Sequence, residues 1–260
     1  MRKFLPRGLL FAACCTLFAS VAAKAAATDD ATETRNVALD ARVVRVKIDG
    51  VIHVRLRQGD TPSLKIVGDK RLMDKMTSSQ AGDTLNLQTD NVRGIKVSGA
   101  GVRVELVLPA LRQVVADGVG STDISGFGGQ ELELLQDGAG SMRATVDYKI
   151  VHTTLAGVGS MRVWLGDNDR TEIDLRGAGN ITLSGRSKLL KASLGGVGGL
   201  TAQQFDADAV EVDLSGLGNA SVSARQAASL KLSGLGSVTV FGQPASRAVS
   251  VNGLGKVNWK

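Results

Sequence analysis

The chain has 260 residues, with 31 Lys and Arg against 25 Asp and Glu, a net charge of +6. Much of that excess is local: Arg2, Lys3, Arg7 and Lys24 fall in the first 25 residues, which hold no carboxylate, so the remainder carries only +2. No block of Lys and Arg is left to form a nucleic-acid footprint, and Cys14 and Cys15 also lie in that leading segment, which excludes disulfides and thiolate metal sites from the rest.

Residues 1–25 read as a cleaved export signal. Arg2, Lys3 and Arg7 precede an apolar stretch from Gly8 to Ala23, and small residues (Ala23-Lys24-Ala25, Ala25-Ala26-Ala27) follow, which places cleavage between about 23 and 27. The apolar stretch is short for a membrane span, and no other span is expected after cleavage. An acylated Cys14 is the lesser alternative, because only six apolar residues precede it. Residues 26–36 are expected to be a short linker.

The domain then runs over 37–260. In its first part, 37–92, the segment 46–56 alternates apolar and polar residues about Gly50, as a strand does. Strand candidates at 64–67 and 83–89 bracket a short helix-like stretch at 69–76, and this insert is expected to cap one end of the fold.

From 93 to 260 the sequence repeats. Gly-x-Gly begins at Gly99, Gly118, Gly138, Gly157, Gly177, Gly196, Gly216, Gly234 and Gly253, at spacings of 18 to 20. The second glycines are Gly101, Gly120, Gly140, Gly159, Gly179, Gly198, Gly218, Gly236 and Gly255. Apolar residues sit four and two positions before the first glycine, and Ser or Asn usually follows the second. A further apolar–polar–apolar run comes next, as in Ile181-Thr182-Leu183. Residues 46–56 match 230–240 position by position, with the second glycine lost and His53 in the Ser place, so they form a degenerate first coil.

A unit of two short strands cannot bury its apolar face alone and must stack on copies of itself. The expected fold is all-β, a single-stranded parallel β-helix of about nine to ten coils, right-handed by the preference of parallel crossovers. Glycine is expected at the corners, where it reaches positive φ without steric cost and lets adjacent backbones approach. The residue between the glycines, such as Val158 or Leu217, is out of phase with the apolar strand positions on both sides, so it points inward if the chain bends at both glycines and outward if the chain stays straight. It is expected to point inward, because the alternative is a long exposed apolar stripe.

The segment 47–59, followed by 64–69 and Gly82-Asp83-Thr84-Leu85-Asn86-Leu87, resembles the opening of the auto-transporter adhesin head family, the GIN domain, and the Gly-x-Gly-Ser/Asn coils resemble that family's repeats. The resemblance spans about 40–260. It implies a right-handed β-helix exported to the cell envelope and brings no catalytic residues.

Sharper chemistry fails on pattern. A nucleotide-binding Gly-rich loop needs a third glycine and a following helix, and Asp123, Thr182 and Ser221 occupy the third place. Calcium β-rolls need acids at every turn, whereas only Asp117 and Asp137 precede a first glycine. Carbohydrate-active chemistry needs clustered carboxylates, but Asp147, Asp167, Asp169, Asp174 and Asp206 fall at different offsets, and His53 and His152 are expected about five coils apart. His53 is expected to join a hydrogen-bond ladder of turn residues instead. Trp164 and Phe241 share one offset and are candidate surface-binding aromatics, although packing at a corner is the favoured reading.

The expectation is a non-catalytic envelope protein without cofactor or metal, presenting a rigid surface to an envelope protein or glycan, and in the periplasm rather than on the cell surface. Oligomerisation is expected through an uncapped C-terminal coil. The alternatives are a β-helix lyase or hydrolase, and a periplasmic structural partner of an envelope complex.

Overall fold

A computed structural model describes residues 32–90 and 101–260. The export signal, part of the linker and Gly99 lie outside these. Residue by residue the alternation of apolar and polar side chains produces strands: β1 (Thr32–Val37), β2 (Arg45–Gln58), β3 (Ser63–Asp69), then the one-turn helix α1 (Lys70–Met73), β4 (Met76–Ala81), β5 (Thr84–Thr89) and β6 (Val102–Leu108). Long strands that each wrap most of a coil follow: β7 (Gln113–Gln136), β8 (Ala139–Leu155), β9 (Val158–Leu175), β10 (Ala178–Leu194), β11 (Val197–Leu214) and β12 (Leu217–Leu232). Three shorter strands complete the chain: β13 (Leu235–Phe241), β14 (Ser246–Val251) and β15 (Lys256–Trp259). The linker expected at 26–36 therefore ends in a strand, because β1 pairs antiparallel with β3.

From β8 to β13 every strand pairs in parallel with its predecessor, glycine against glycine, as in Gly179 beside Gly159 and Gly198. The result is a parallel β-solenoid of about seven turns, fewer than the nine to ten expected. Chain order and spatial order part company at the N-terminal end. Gly50 of β2 stacks directly on Gly118 of β7, while β5 and β6 lie on the other side of β2. Strands β5 and β6 are thus an end layer and not a coil between the first two. Beyond it β3 pairs antiparallel with β6 and β4 with β5, so the expected cap is built from antiparallel strands. Asp69 caps α1 by accepting the Arg71 N–H at 2.7 Å.

The interior is filled by columns of aliphatic residues, for example Met161, Ile181, Leu200, Ala220 and Val238 on successive coils, all buried. Leu155, Leu175, Leu194, Leu214 and Leu232 form a second column, two residues before the first glycine. The second bend of each coil, around 125–130, 146–150 and 184–186, carries the register shifts. Spacings of 18 to 20 residues are absorbed there, and the large buried side chains Phe127, Tyr148 and Phe205 fill that side. The Tyr148 hydroxyl donates to the Leu111 carbonyl at 2.6 Å. Burial pushes its phenol up to about 12.

The glycines are required by proximity more than by torsion. The first glycines do not take positive φ, and among the second ones Gly198 (φ 147°) is one of few that do. A Cβ on Gly196 would overlap the carbonyl oxygen of Gly177 one coil below, and one on Gly179 would overlap that of Gly159. Adjacent Gly195 differs: its nearest neighbour to such a Cβ is Ser215 Oγ at 3.7 Å.

Three consequences are measurable. Gly196→Ala is expected to lower stability by ~3 kcal/mol through backbone collision, whereas Gly195→Ala stays within ~1 kcal/mol; urea midpoints of the two variants decide it. Thr153 is buried with its hydroxyl unpartnered, so Thr153→Val is expected to raise stability by ~1 kcal/mol in the same assay. Tyr148 is the only tyrosine. Its folded pKa is raised above the unfolded value near 10, so the stability it contributes is complete below pH ~10 and lost as pH rises through about 12. Phenolate absorbance should therefore titrate near 12, and Tyr148→Phe should remove that part of the alkaline dependence.

Candidate functional site

The in–out alternation of side chains persists across each Gly-x-Gly, although from Gly138 on the strand is interrupted at the first glycine. Leu175, Gly177, Gly179 and Ile181 share the inward phase, and Ala178 between them faces out. The residue between the glycines is therefore exposed in every described repeat from Val119 on, contrary to the inward expectation: Val158 is 61% exposed, Leu217 50% and Leu254 85%. The chain does bend at the first glycine, as at Gly138, Gly157, Gly177, Gly196, Gly216 and Gly234, but the bend leaves the residue between the glycines facing out; the corner is tight because side chains are missing. In register, Val51, Val119, Ala139, Val158, Ala178, Val197, Leu217 and Leu235 make one aliphatic ridge along the solenoid. Bare glycine backbone forms a gutter on each side. One gutter is a groove of about 640 Å³ bounded by Gly196, Ser215, Gly216, Ser233, Gly234 and Gly253. The other, about 470 Å³, is bounded by Gly179, Asn180, Gly198, Gly199, Gly218 and Asn219.

The face beyond the second glycine is polar. His53 Nδ1 lies 2.9 Å from Ser121 Oγ on the next coil, the ladder contact expected for it, and Asn219 Oδ1 accepts from the Ser237 N–H at 3.1 Å and its hydroxyl at 2.8 Å. Two residues further along this face Arg143 and Arg162 are direct register partners, and beside them Trp164 stands next to Thr145. Trp164 is 41% exposed. Phe241, its expected companion, is half-buried and covered by Lys260 Nζ, 5.7 Å from the ring centroid. The two aromatics are not brought together, being on β9 and β13.

Of the acids expected to stay apart, Asp167 and Asp206 share a column, each a register partner of Arg186 on the coil between them, while Asp169 and Asp174 pair with cations of their own. Lys188 Nζ lies 2.6 Å from Asp169 Oδ1 and its hydrogen bond holds that carboxyl below the usual range; Arg186 faces Asp167 at 4.0 Å, and Arg176 Nε donates to Asp174 at 2.8 Å. His53 and His152 are closer than expected, two coils apart on β2 and β8, because β7 stacks directly on β2. A contact missed in the sequence joins His152 to Glu172 (2.9 Å) and Glu131 (3.3 Å), with Arg170 also paired to Glu172. Burial alone would raise the Glu172 carboxyl, but Arg170 and His152 outweigh it and leave the group below the usual range. Counting back from the following glycine reveals the column: Glu133, His152, Glu172, Lys191 and Glu211 are each five residues before it. These side chains are half-buried or exposed and alternate in charge, which suits a stabilising outer ladder. Asp49 and Asp117 are register partners, but among the described residues no group of three or more His, Cys, Asp or Glu is placed to hold a metal ion.

No curated protein matches the chain. Among solved structures, one titled a "putative adhesin" from Parabacteroides merdae is similar at TM-score 0.73 and 20% identity, covering 88% of this chain and 96% of that one. A "putative lipid binding protein" from Parabacteroides distasonis gives TM-score 0.70 and 17% identity, over 87% and 96%. A "putative adhesin" from Bacteroides fragilis gives 0.64 and 18%, over 88% and 97%. These likenesses establish the solenoid fold. The family model described as "Putative auto-transporter adhesin, head GIN domain" matches residues 44–244, and the chain belongs to that family.

Proposed function

We propose that this chain is an exported, non-catalytic cell-envelope protein whose solenoid presents a fixed lattice of side chains to an acidic or hydroxyl-rich envelope glycan. The observation that carries the reading is the patch on β8 and β9. Arg143 and Arg162 sit side by side one coil apart, ~4.8 Å in such a stack. Like charges directly opposite each other are unfavourable, and Asp123, 3.7 Å from Arg143, answers only one of the pair. A ligand carboxylate or phosphate would relieve the repulsion through charge-assisted hydrogen bonds. Trp164, two residues beyond Arg162, offers an exposed ring against which a sugar face can stack. Neighbouring Ser141 and Ser160 supply small hydroxyls. The adhesin titles of two structural neighbours agree with a binding role. Among the described residues none of the buried polar or charged side chains is an Asp, Glu, His, Lys or Arg, which favours surface recognition over acid–base chemistry.

Trp164→Ala and Arg162→Glu are each expected to weaken binding of the purified protein to isolated envelope polysaccharide on the order of tenfold, with folding unchanged. Unaltered binding in both, or turnover of the polysaccharide, would refute the proposal. Location is read separately, by protease treatment of cells before and after outer-membrane permeabilisation. Protection until permeabilisation is expected for the periplasm; cleavage of intact cells would place the protein at the surface.

A further inference from the structure

We propose that the aliphatic ridge is a self-complementary interface that pairs with the ridge of a second copy of this chain. The inference is independent of the glycan reading, which concerns the Arg143–Trp164 patch. A large contiguous apolar patch on a soluble protein marks an interaction site, and here the patch is unusually regular. The outward residues of successive coils repeat at the ~4.8 Å spacing of stacked strands. They stand between grooves floored by glycine backbone and edged by small polar side chains such as Ser215, Ser233, Asn180 and Asn219. The surface that matches such a ridge is one with the same repeat and a gutter of the same width. A second copy has both: its ridge lies in the first copy's gutter, and the reverse contact follows from two-fold symmetry. Identical columns of side chains interdigitating between facing sheets form dry, tightly packed interfaces elsewhere.

The area suffices. The nine ridge positions from Val51 to Leu254 extend ~38 Å, and five extended residues across each Gly-x-Gly span ~17 Å. The strip covers about 650 Å² per copy, or ~1,300 Å² in the pair, which falls within the range of specific stable interfaces. The flanks are inexpensive to desolvate. Beside Val197, Leu217, Leu235 and Leu254 the residues before the first glycine are Gly195, Ser215, Ser233 and Asn252, none charged. At the other end the same column carries Asp49, Asp117 and Asp137. Antiparallel pairing about Ala178 sets each of these acids against an uncharged flank and away from its own copies. Only Arg176 then meets its counterpart, and each is already held by Asp174.

The test is sedimentation of the exported protein and of Leu217→Asp/Leu235→Asp, two half-exposed positions whose replacement leaves the interior untouched. Far-ultraviolet circular dichroism and the melting curve report folding. A wild-type dimer, with dissociation at least ~100-fold easier in the folded double variant, supports the proposal. A wild-type monomer at all accessible concentrations overturns it. So does a dimer that the variant leaves intact, which would point to the C-terminal coil, and so does a ridge-dependent association with phosphatidylcholine vesicles by a monomer. Trp164→Ala, off the ridge, should leave the dimer unchanged, so failure of the dimer and failure of glycan binding are separable.

Discussion

Strands that pile up in parallel register must bring backbone against backbone at every bend, and at one corner of this solenoid the approach is too close for any side chain. A Cβ on Gly138, Gly177 or Gly216 would occupy the position of a carbonyl oxygen on the coil below. The glycine columns follow from this contact, since a coil needs glycine wherever its backbone passes this closely over a carbonyl below, whether of Gly157 under Gly177 or of Ile52 under Gly120. The interior columns, from Met161 through Val238, stay in line because the corner fixes the register of each coil on the last. The same fixed register sets the outer columns, including the opposed Arg143 and Arg162 and the alternating charges around His152.

The other bend works by a different rule. It carries bulges and register shifts, tolerates coils of unequal length, and fills its space with Phe127, Tyr148 and Phe205 instead of a uniform column. Length variation among the repeats is confined to this side, so the glycine corner repeats faithfully while the opposite corner does not.

The parallel solenoid was legible in the sequence because period-2 alternation and a recurring Gly-x-Gly are direct imprints of strand geometry and close packing. The direction of the residue between the glycines was not, because two apolar phases separated by glycine suggest bends that turn it inward, whereas Leu175, Gly177, Gly179 and Ile181 form one unbroken inward series. The N-terminal layer was hidden for a topological reason. Nothing in the residues of β5 and β6 states that they lie on the far side of β2 from β7, since parallel pairing leaves the same alternation on either edge. Strand β4, with the polar sequence Met76-Thr77-Ser78-Ser79-Gln80-Ala81, gave no apolar pattern to read. The Glu172–His152 contact was missed because offsets counted forward from a glycine cross the variable bend, and those counted backward do not.

The placement of β2 bears on how the molecule is made. Residues 45–58 are covered on one side by β5 and β6 and on the other by the first half of β7. Synthesis therefore completes the sealed end of the stack before the first regular coil is available to dock, and that lid needs contacts between residues some fifty positions apart. Every later coil adds to an edge already formed, closing a loop of only 18 to 20 residues. The entropically demanding closures, β6 and then β7 onto β2, both fall at the N-terminal end, and each later turn has the one before as its template.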